Sequence, residues 1–208
     1  MSVSAPTVFV VDDDPSIRKA LGRLLKADGF QVQKFQSAEE FLELHPVGTP
    51  ACLVLDVSMP GLNGLDLQQQ LADRNSALPI VFITGHGDIP MSVRAMKAGA
   101  TDFLVKPFKS SDLLKAVRQA VERYAESLRA DAEVQEIRKR FQSLSPRERE
   151  VMTYVVSGRL NKQVGHRLGI AEKTIKVHRA RIMHKMGADS LAALVRMAHR
   201  LGIEEPTL

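Results

Sequence analysis

The sequence has very little cysteine and no long apolar run. One cysteine, Cys52, among 208 residues excludes a framework of intrachain disulfide bonds. It lies in the apolar stretch ACLVLD, where a packed core thiol is expected rather than a nucleophile. No stretch approaches the ~20 apolar residues that span a membrane, and the chain does not begin with a basic segment, an apolar run and a cleavage site. These absences predict a cytoplasmic protein with no membrane partner.

Acidic and basic residues are unevenly distributed along the chain. Residues 1–124 contain 13 Lys and Arg against 14 Asp and Glu, whereas residues 125–208 contain 16 against 10. The first part is therefore near neutral and the second carries a net charge of +6. A near-neutral part followed by a basic one indicates two modules, and the basic module suits a polyanionic partner such as nucleic acid.

Short β-branched and aromatic stretches alternate with helical patterns over the first 124 residues. Five such stretches predict strands, at residues 7–11, 31–35, 51–56, 79–84 and 101–106. The first helical pattern begins with Asp14 as N-cap and Pro15 at the first helical position, and the second has Ser37 and Glu40 at the spacing of a capping box. The alternation predicts an α/β domain, a doubly wound five-stranded parallel sheet with helices on both faces.

Polar side chains stand at the ends of four predicted strands. Asp12 and Asp13 follow the first strand, Asp56 ends the third, Thr84 the fourth and Lys106 the fifth. Ligand sites form at the carboxyl ends of parallel strands, so these side chains are expected to meet. Clustered carboxylates repel one another unless a hard cation such as Mg²⁺ neutralises them. A carboxylate in such a site can also attack phosphorus and form an aspartyl phosphate, with Mg²⁺ and a lysine stabilising the transferring group.

The pattern after residue 110 is purely helical. Two apolar seams run along it, with a phase break near Asp131, and residues 125–140 are too polar for a core helix. Two interpretations stay open: a helix packed on its own domain, or a helical linker that can pair in a dimer. The polarity favours a helical linker, over residues 125–143.

Residues 144–208 predict a small all-α domain. Ser145 is placed to cap a helix, with Glu148 at the box position. Two further helices, about 161–168 and 172–186, are joined by a tight turn containing Gly169, and the second carries many lysines and arginines. A basic helix face alone would indicate solvated surface, but two helices joined this way in a basic module favour a helix-turn-helix whose second helix enters the major groove.

The motifs VVDDD, LVLDVSMPGLNGLDL, IVFITGHGD and AMKAGATDFLVKPF stand in the order found in response-regulator receiver domains, which residues 7–124 resemble. The resemblance implies a flavodoxin-like fold with Asp56 as phosphoacceptor, assisted by Thr84 and Lys106. It implies that Thr84 and Phe103 form a switch pair. Ser58 and His86 occupy positions that tune phosphate lifetime in receivers. The implied Mg²⁺ ligands are Asp12, Asp13, Asp56 and the backbone carbonyl of Ser58.

Residues 144–203 resemble the LuxR-type DNA-binding domain through the motifs LSPREREVM, NKQVGHRLGI and KTIKVHRARIMHKMG. The resemblance implies base contacts by Lys176, Val177 and Ala180. Gly165 departs from the alanine usual in this family, and Ala171 replaces the usual hydroxyl cap of the recognition helix. The complete set of implied DNA-binding residues is Lys162, Lys173, Thr174, Lys176, Val177, Arg179, Ala180 and Lys185.

The two parts together resemble the NarL/LuxR response regulators, in the FixJ-like branch. The resemblance implies a non-enzymatic transcription regulator of a two-component system, more often an activator. A sensor histidine kinase would phosphorylate Asp56, and the receivers would dimerise to bind a two-fold operator and act with RNA polymerase. The dimer surface is expected at Val93, Ala95, Met96 and the chain near Lys106.

Two alternatives stay open. In the first, the chain is a DNA-binding regulator with a vestigial receiver controlled by protein partners. In the second, it is a metal-dependent phosphotransfer enzyme acting on a small substrate. The complete acidic set argues against the first, while the basic second module and the lack of a substrate-pocket motif argue against the second.

Overall fold

The computed structural model describes residues 5–43, 49–85 and 89–203. The chain divides into two compact units, an N-terminal unit of Met1–Leu128 and a C-terminal unit of Arg129–Leu208. Across the described ranges, no helix is long and apolar enough to cross a membrane.

The N-terminal unit is a five-stranded parallel sheet with helices on both faces. Its strands are β1 (Thr7–Val11), β2 (Gln31–Phe35), β3 (Ala51–Asp56), β4 (Ile80–Thr84) and β5 (Asp102–Val105). Its helices are α1 (Pro15–Ala27), α2 (Ala38–Leu42), α3 (Gly64–Asp73), α4 (Ile89–Lys97) and the first part of α5 (Ser110–Gln142). The strand order is β2-β1-β3-β4-β5 and every neighbouring pair is parallel. The predicted doubly wound sheet is confirmed.

Side chains of β1 alternate between two apolar cores. Val8 and Val10 lie in one core with residues of α1 and α5, while Phe9 and Val11 lie in the other with residues of α2 and α3. Because the strand is buried on both faces, it can present charged groups only beyond its carboxyl end, where Asp12 and Asp13 stand. Cys52, on the neighbouring strand β3, is a fully buried core thiol as predicted.

The first two helices begin at the predicted caps. Asp14 accepts hydrogen bonds from two backbone N–H groups of the first turn of α1, at 2.7 and 3.4 Å. The Ser37 hydroxyl accepts the N–H of Glu40 at 3.2 Å. The Glu40 carboxylate accepts the N–H of Gln36 rather than that of the cap residue Ser37, so the predicted capping box of α2 is only half formed.

Helix α5 is 33 residues long and continues past Asp131, where the apolar pattern changes phase. It covers almost all of the predicted linker 125–143, and the three-part domain division stays a prediction. Val117 and Val121 are buried in the N-terminal unit, and Ile137 is buried in the core of the C-terminal unit. All three side chains belong to the two apolar seams predicted from the sequence. Because they are buried within their own units, the interpretation that the seams pair two protomers is wrong for these three residues.

The C-terminal unit is helical. It contains the end of α5, α6 (Pro146–Val156), α7 (Asn161–Leu168), α8 (Glu172–Met186) and α9 (Leu191–Arg200). Helix α7 ends at Gly169, whose φ of 65° is a left-handed conformation that glycine adopts without steric cost. The turn that follows brings α7 against α8, as in a helix-turn-helix. Ala171 provides no side-chain cap to α8, as expected from the missing hydroxyl.

Candidate functional site

An acidic cluster with one lysine lies at the carboxyl edge of the sheet. The ammonium nitrogen of Lys106 is 2.9 Å from Asp12 Oδ2 and 3.2 Å from Asp56 Oδ2. Asp12 and Asp56 are buried, whereas Asp13 is exposed. One carboxylate oxygen from each of the three aspartates lies within 4.8 Å of the other two. The structure thus brings together the groups that the sequence placed at separate strand ends.

Strand register explains how these side chains meet. Val11 of β1 is paired with Leu55 of β3, so the residues that follow them, Asp12 and Asp56, lie side by side. The backbone N–H of Asp14 donates to Asp12 Oδ1 at 2.8 Å and fixes that carboxylate. The remaining oxygen of each buried aspartate faces Lys106, so the lysine bridges the two strands.

The charged groups in this cluster shift one another's pKa values. Burial raises the pKa of Asp56 above 3.8, Lys106 opposes this shift and the charge of Asp12 adds to it. Burial alone would lower the pKa of Lys106, but its hydrogen bonds and ion pairs with Asp12 and Asp56 outweigh burial and raise it above 10.5. The ammonium therefore stays charged at neutral pH. Asp13 adds a third carboxylate to the cluster, so the cluster holds excess negative charge that a cation would neutralise.

The predicted switch residues occupy neighbouring strands. Thr84 is buried at the end of β4, and its carbonyl oxygen accepts the N–H of Lys106 at 2.7 Å. Phe103 of β5 is half-buried, with its ring centroid 6.1 Å from that of Phe82. The N–H of Ser58, itself exposed, donates to Asp56 Oδ1 at 3.4 Å. The predicted residues of the sheet edge therefore lie either in the acidic cluster or on a strand that borders it. The exception is His86, which lies outside the described residues.

An exposed apolar patch lies on α4 and β5. Val93, Met96 and Val105 are between 45% and 48% exposed, and Ile89 is exposed further. We call these four residues the α4–β5 patch. Ala95 is fully buried and its carbonyl accepts a hydrogen bond from Gln68, so its predicted place on the dimer surface is wrong. Val105 falls within the chain near Lys106 that the sequence placed on this surface. Sequence reasoning did not single out Ile89, because exposure of an apolar side chain leaves no signal in the periodicity.

Helix α8 presents a polar face to solvent. Its buried side chains are Ile175, Ile182 and Met186. Arg181 and His184 are also exposed and follow Val177 and Ala180 by four residues, which puts them on the same face. Sequence reasoning left them out of the DNA-binding set, although the spacing could have included them. The exposed residues of α8 that were predicted to bind DNA are Lys173, Thr174, Lys176, Val177, Ala180 and Lys185.

Three basic side chains of α8 have partners within the chain. The guanidinium of Arg179 is half-buried and donates to Asn161 Oδ1, at the start of α7, at 3.2 Å. Lys176 lies 3.5 Å from Glu172 in an exposed ion pair. Lys185 lies 2.7 Å from the buried carboxylate of Glu148. The ammonium of Lys185 therefore has a structural role, and its DNA contact stays a prediction, as does that of Lys162, which is exposed on α7.

Comparison with known proteins places both units in families. The family model described as "Response regulator receiver domain" matches residues 8–118, and the one described as "Bacterial regulatory proteins, luxR family" matches residues 142–198. The chain is 52% identical to Nodulation protein W of Bradyrhizobium diazoefficiens, over 94% of this chain and 86% of that protein. It is 44% identical to the transcriptional regulatory protein FixJ of Rhizobium meliloti, over 92% of this chain and 94% of that protein.

Solved structures agree with these matches. The response regulator StyR is 48% identical, with a TM-score of 0.87 over 95% of this chain and all of that one. Full-length FixJ from B. japonicum is 42% identical, with a TM-score of 0.57 over 94% and 97% of the two chains. Fold, acidic cluster and basic helix define a class, the DNA-binding regulators of two-component systems. The chain belongs to the response regulators that join a receiver domain to a LuxR-type DNA-binding domain, with FixJ-like proteins among its relatives.

Proposed function

We propose that this chain is a phosphorylation-controlled activator of transcription. A sensor histidine kinase phosphorylates Asp56, the receivers dimerise, and the dimer binds a two-fold operator. The observation that carries the proposal is the contact of Lys106 with both Asp12 and Asp56, at 2.9 and 3.2 Å. This contact places an attacking carboxylate beside a cation at an open edge of the sheet, which is what phosphoryl transfer requires.

The proposed transfer uses groups already in place. An oxygen of Asp56 attacks the phosphorus of a phosphohistidine, so that an O–P bond forms and the N–P bond breaks. The imidazole nitrogen leaves with the electron pair and is protonated from solvent. The ammonium of Lys106 stabilises the charge on the transferring oxygens, and the hydroxyl of Thr84 binds the phosphoryl group of the product.

The donor set at the cluster fits Mg²⁺. Mg²⁺ prefers hard oxygen ligands, and three carboxylates lie within reach of one ion. We assign its ligands to Asp12, Asp13, Asp56 and the backbone carbonyl of Ser58. When bound, the ion supplies positive charge that offsets both the clustered carboxylates and the phosphoryl oxygens.

Phosphorylation is proposed to act through the switch pair on the α4–β5 patch. Binding of the phosphoryl group by Thr84 alters the end of β4, and Phe103 on the next strand repacks in response. The apolar side chains of the patch then become buried against the same patch of a second receiver. Such a two-fold contact is self-complementary and brings two copies of α8 to adjacent half-sites.

The exposed face of α8 supports DNA recognition. We propose base contacts by Lys176, Val177 and Ala180, because these side chains are exposed on the second helix of the helix-turn-helix. Five further residues are assigned to the DNA backbone: Lys162, Lys173, Thr174, Arg179 and Lys185. Contact with RNA polymerase, and activation rather than repression, complete the proposal and are supported by the family relationship.

Light scattering tests the switch directly. Wild type and Asp56→Asn are sized with Mg²⁺, before and after addition of acetyl phosphate. Wild type is expected to shift from monomer to dimer and Asp56→Asn to stay monomeric. Asp73→Asn, which alters an exposed carboxylate at the end of α3, serves as control and is expected to behave as wild type. If wild type does not respond, or if Asp56→Asn responds equally, phosphorylation of Asp56 does not drive dimerisation.

A further inference from the structure

Within the C-terminal unit, the end of α5 contacts the last turn of α8. The Nη1 atom of Arg140 donates to the carbonyl oxygen of Met186 at 3.2 Å, and its Nε donates to Glu136 Oε1 at 3.1 Å. Met186 is the last residue of α8. The final carbonyl groups of a helix have no partner inside it and carry partial negative charge. The guanidinium therefore satisfies one of these carbonyls, and Glu136 holds the guanidinium in position.

Gly187 makes room for this contact. It follows α8 with φ of 65° and ψ of 32°, the left-handed conformation that favours glycine. A Cβ atom at this position would lie 2.6 Å from Nη1 of Arg140. The guanidinium thus fills the space that any other side chain at residue 187 would occupy, so the end of α8 and the approach of Arg140 depend on the same glycine.

A second polar contact supports the first. The ammonium of Lys185 lies 3.3 Å from the carbonyl oxygen of Ser143, which follows α5. Ile137 of α5 and Met186 of α8 are also buried in the same core. Two polar contacts therefore join the end of α5 to the carboxyl end of α8, and both segments contribute to one apolar core.

We infer that Arg140 is a positioning residue for DNA recognition: it fixes the carboxyl end of α8, and so the orientation of the side chains that read bases. This inference rests on the proposed binding of DNA by α8. Hydrogen bonds to base edges tolerate only about half an ångström in length, so a small displacement of α8 would weaken them. Contacts to phosphates by flexible lysines would change much less. The functional DNA-binding module then begins inside α5, before residue 144.

The test uses the full chain with Mg²⁺ and acetyl phosphate. Wild type first selects duplexes from a random-sequence library. Affinities for the selected duplex and for a scrambled duplex of the same composition are then measured by fluorescence anisotropy over a range of salt concentrations. Arg140→Gln is compared with Arg138→Gln, which removes the same charge from an exposed site two residues earlier on α5.

Arg140→Gln is expected to lower the ratio of specific to scrambled affinity by about tenfold. Its affinity for the scrambled duplex, and the slope of log affinity against log salt concentration, should match those of Arg138→Gln. Arg138→Gln should keep the wild-type ratio of specific to scrambled affinity. Arg140→Lys retains a cationic donor and should recover part of the ratio. An unchanged ratio in Arg140→Gln overturns the inference. Equal weakening on both duplexes with a reduced salt slope also overturns it, since that result describes a phosphate contact.

Two outcomes need a further variant or a separate interpretation. Circular dichroism can show that Arg140→Gln is unfolded at the assay temperature. In that case Glu136→Gln tests the inference instead, because Glu136 is exposed and its replacement removes only the ion pair that holds the Arg140 guanidinium in position. A ratio about twofold to threefold below wild type in Glu136→Gln supports the inference, and a wild-type ratio overturns it. If wild type selects no duplex, the proposed function fails and the inference falls with it.

Discussion

Lys185 donates a hydrogen bond of 2.7 Å to Oε2 of Glu148, a residue only 3% exposed. The same carboxylate accepts the backbone N–H of Ser145 at 2.8 Å, while the Ser145 hydroxyl accepts the N–H of Glu148 at 3.2 Å. One side chain therefore completes the predicted capping box of α6 and binds the last turn of α8. Because a buried carboxylate is costly without a cation, the start of α6 and the end of α8 stabilise each other.

Replacing Lys185 should destabilise the C-terminal unit. Lys185→Met leaves the buried carboxylate of Glu148 without its cation. The lysine side chain is 37% exposed, so we expect a loss of about 2 kcal/mol in the free energy of unfolding, less than the ~3–5 kcal/mol of a fully buried pair. Urea unfolding measures the loss. Lys173→Met, at an exposed site near the start of α8, should change stability by less than about 0.5 kcal/mol. Equal effects would contradict the structural role of Lys185.

Stability should depend on pH through Glu148. The hydrogen bond from Lys185, with that from the Ser145 backbone, lowers the pKa of Glu148 below 4.5. A carboxyl group with a lower pKa when folded adds stability above its ordinary pKa and loses it as the pH falls through the folded value. Glu148→Gln should therefore be less stable than wild type at pH 7, and the difference should shrink as the pH falls below 4.5. Urea unfolding of both proteins between pH 7 and acidic pH measures this difference in stability. A difference that does not change with pH would argue against the ion pair.

Gly64 should be essential to the geometry of the proposed phosphoacceptor, Asp56. Its N–H donates to the carbonyl oxygen of Val57 at 3.0 Å, and a Cβ atom on Gly64 would overlap the carbonyl oxygen of Asp56. Gly64→Ala must therefore displace the backbone at the end of β3, and such overpacking costs roughly 1–3 kcal/mol. We expect the labelling of Asp56 by acetyl phosphate to slow by about tenfold, which corresponds to a rise of ~1.4 kcal/mol in the activation barrier.

Gly22→Ala is the matched control for Gly64→Ala. A Cβ atom on Gly22 would meet only the side chain of Lys34, at 3.2 Å, and that chain can move. Labelling of Gly22→Ala should proceed at the wild-type rate. If Gly64→Ala is labelled equally fast, the close approach to Asp56 does not govern reactivity.

Asn161 should act on DNA through Arg179. Its Oδ1 accepts the hydrogen bond from Arg179 Nη1 at 3.2 Å and so holds a guanidinium of α8 from the start of α7. Asn161→Ala is expected to weaken operator binding about threefold to tenfold, because Arg179 loses its fixed orientation. A double-mutant cycle with Arg179→Ala measures the coupling, which should exceed about 0.5 kcal/mol. Strictly additive effects would mean that Asn161 and Arg179 contribute to DNA affinity independently.

Much of the sheet was predictable because buried parallel strands leave a strong local signal. The predicted bounds of β1, β2 and β3 agree with the structure, β4 begins one residue later than predicted, and β5 is one residue shorter at each end. Pro79 stands at the predicted start of β4 and cannot donate to the ladder, which accounts for the shorter strand there. The acidic cluster was predictable for a related reason: parallel topology alone brings the carboxyl ends of the strands together.

Contacts between distant segments were not predictable from local patterns. Lys185 has the spacing of a solvent-facing basic residue, and only the fold brings Glu148 to it. Ala95 lies between two exposed apolar residues of α4, and periodicity does not show which side of a short helix faces the sheet. The phase break at Asp131 indicated a change of buried face, yet α5 stays helical through it because that change interrupts no backbone hydrogen bond.

The position of Cys52 has a practical consequence for studying this protein. Burial raises the pKa of the Cys52 thiol, so the group stays protonated and shielded in β3. The sequence holds no other cysteine, and the native chain is therefore already a background for site-directed labelling. A cysteine introduced at an exposed site outside the proposed DNA contacts, such as Ala192 of α9, would be the reactive thiol toward maleimides and spin labels. Distances between such labels would then test whether two C-terminal units come together on DNA.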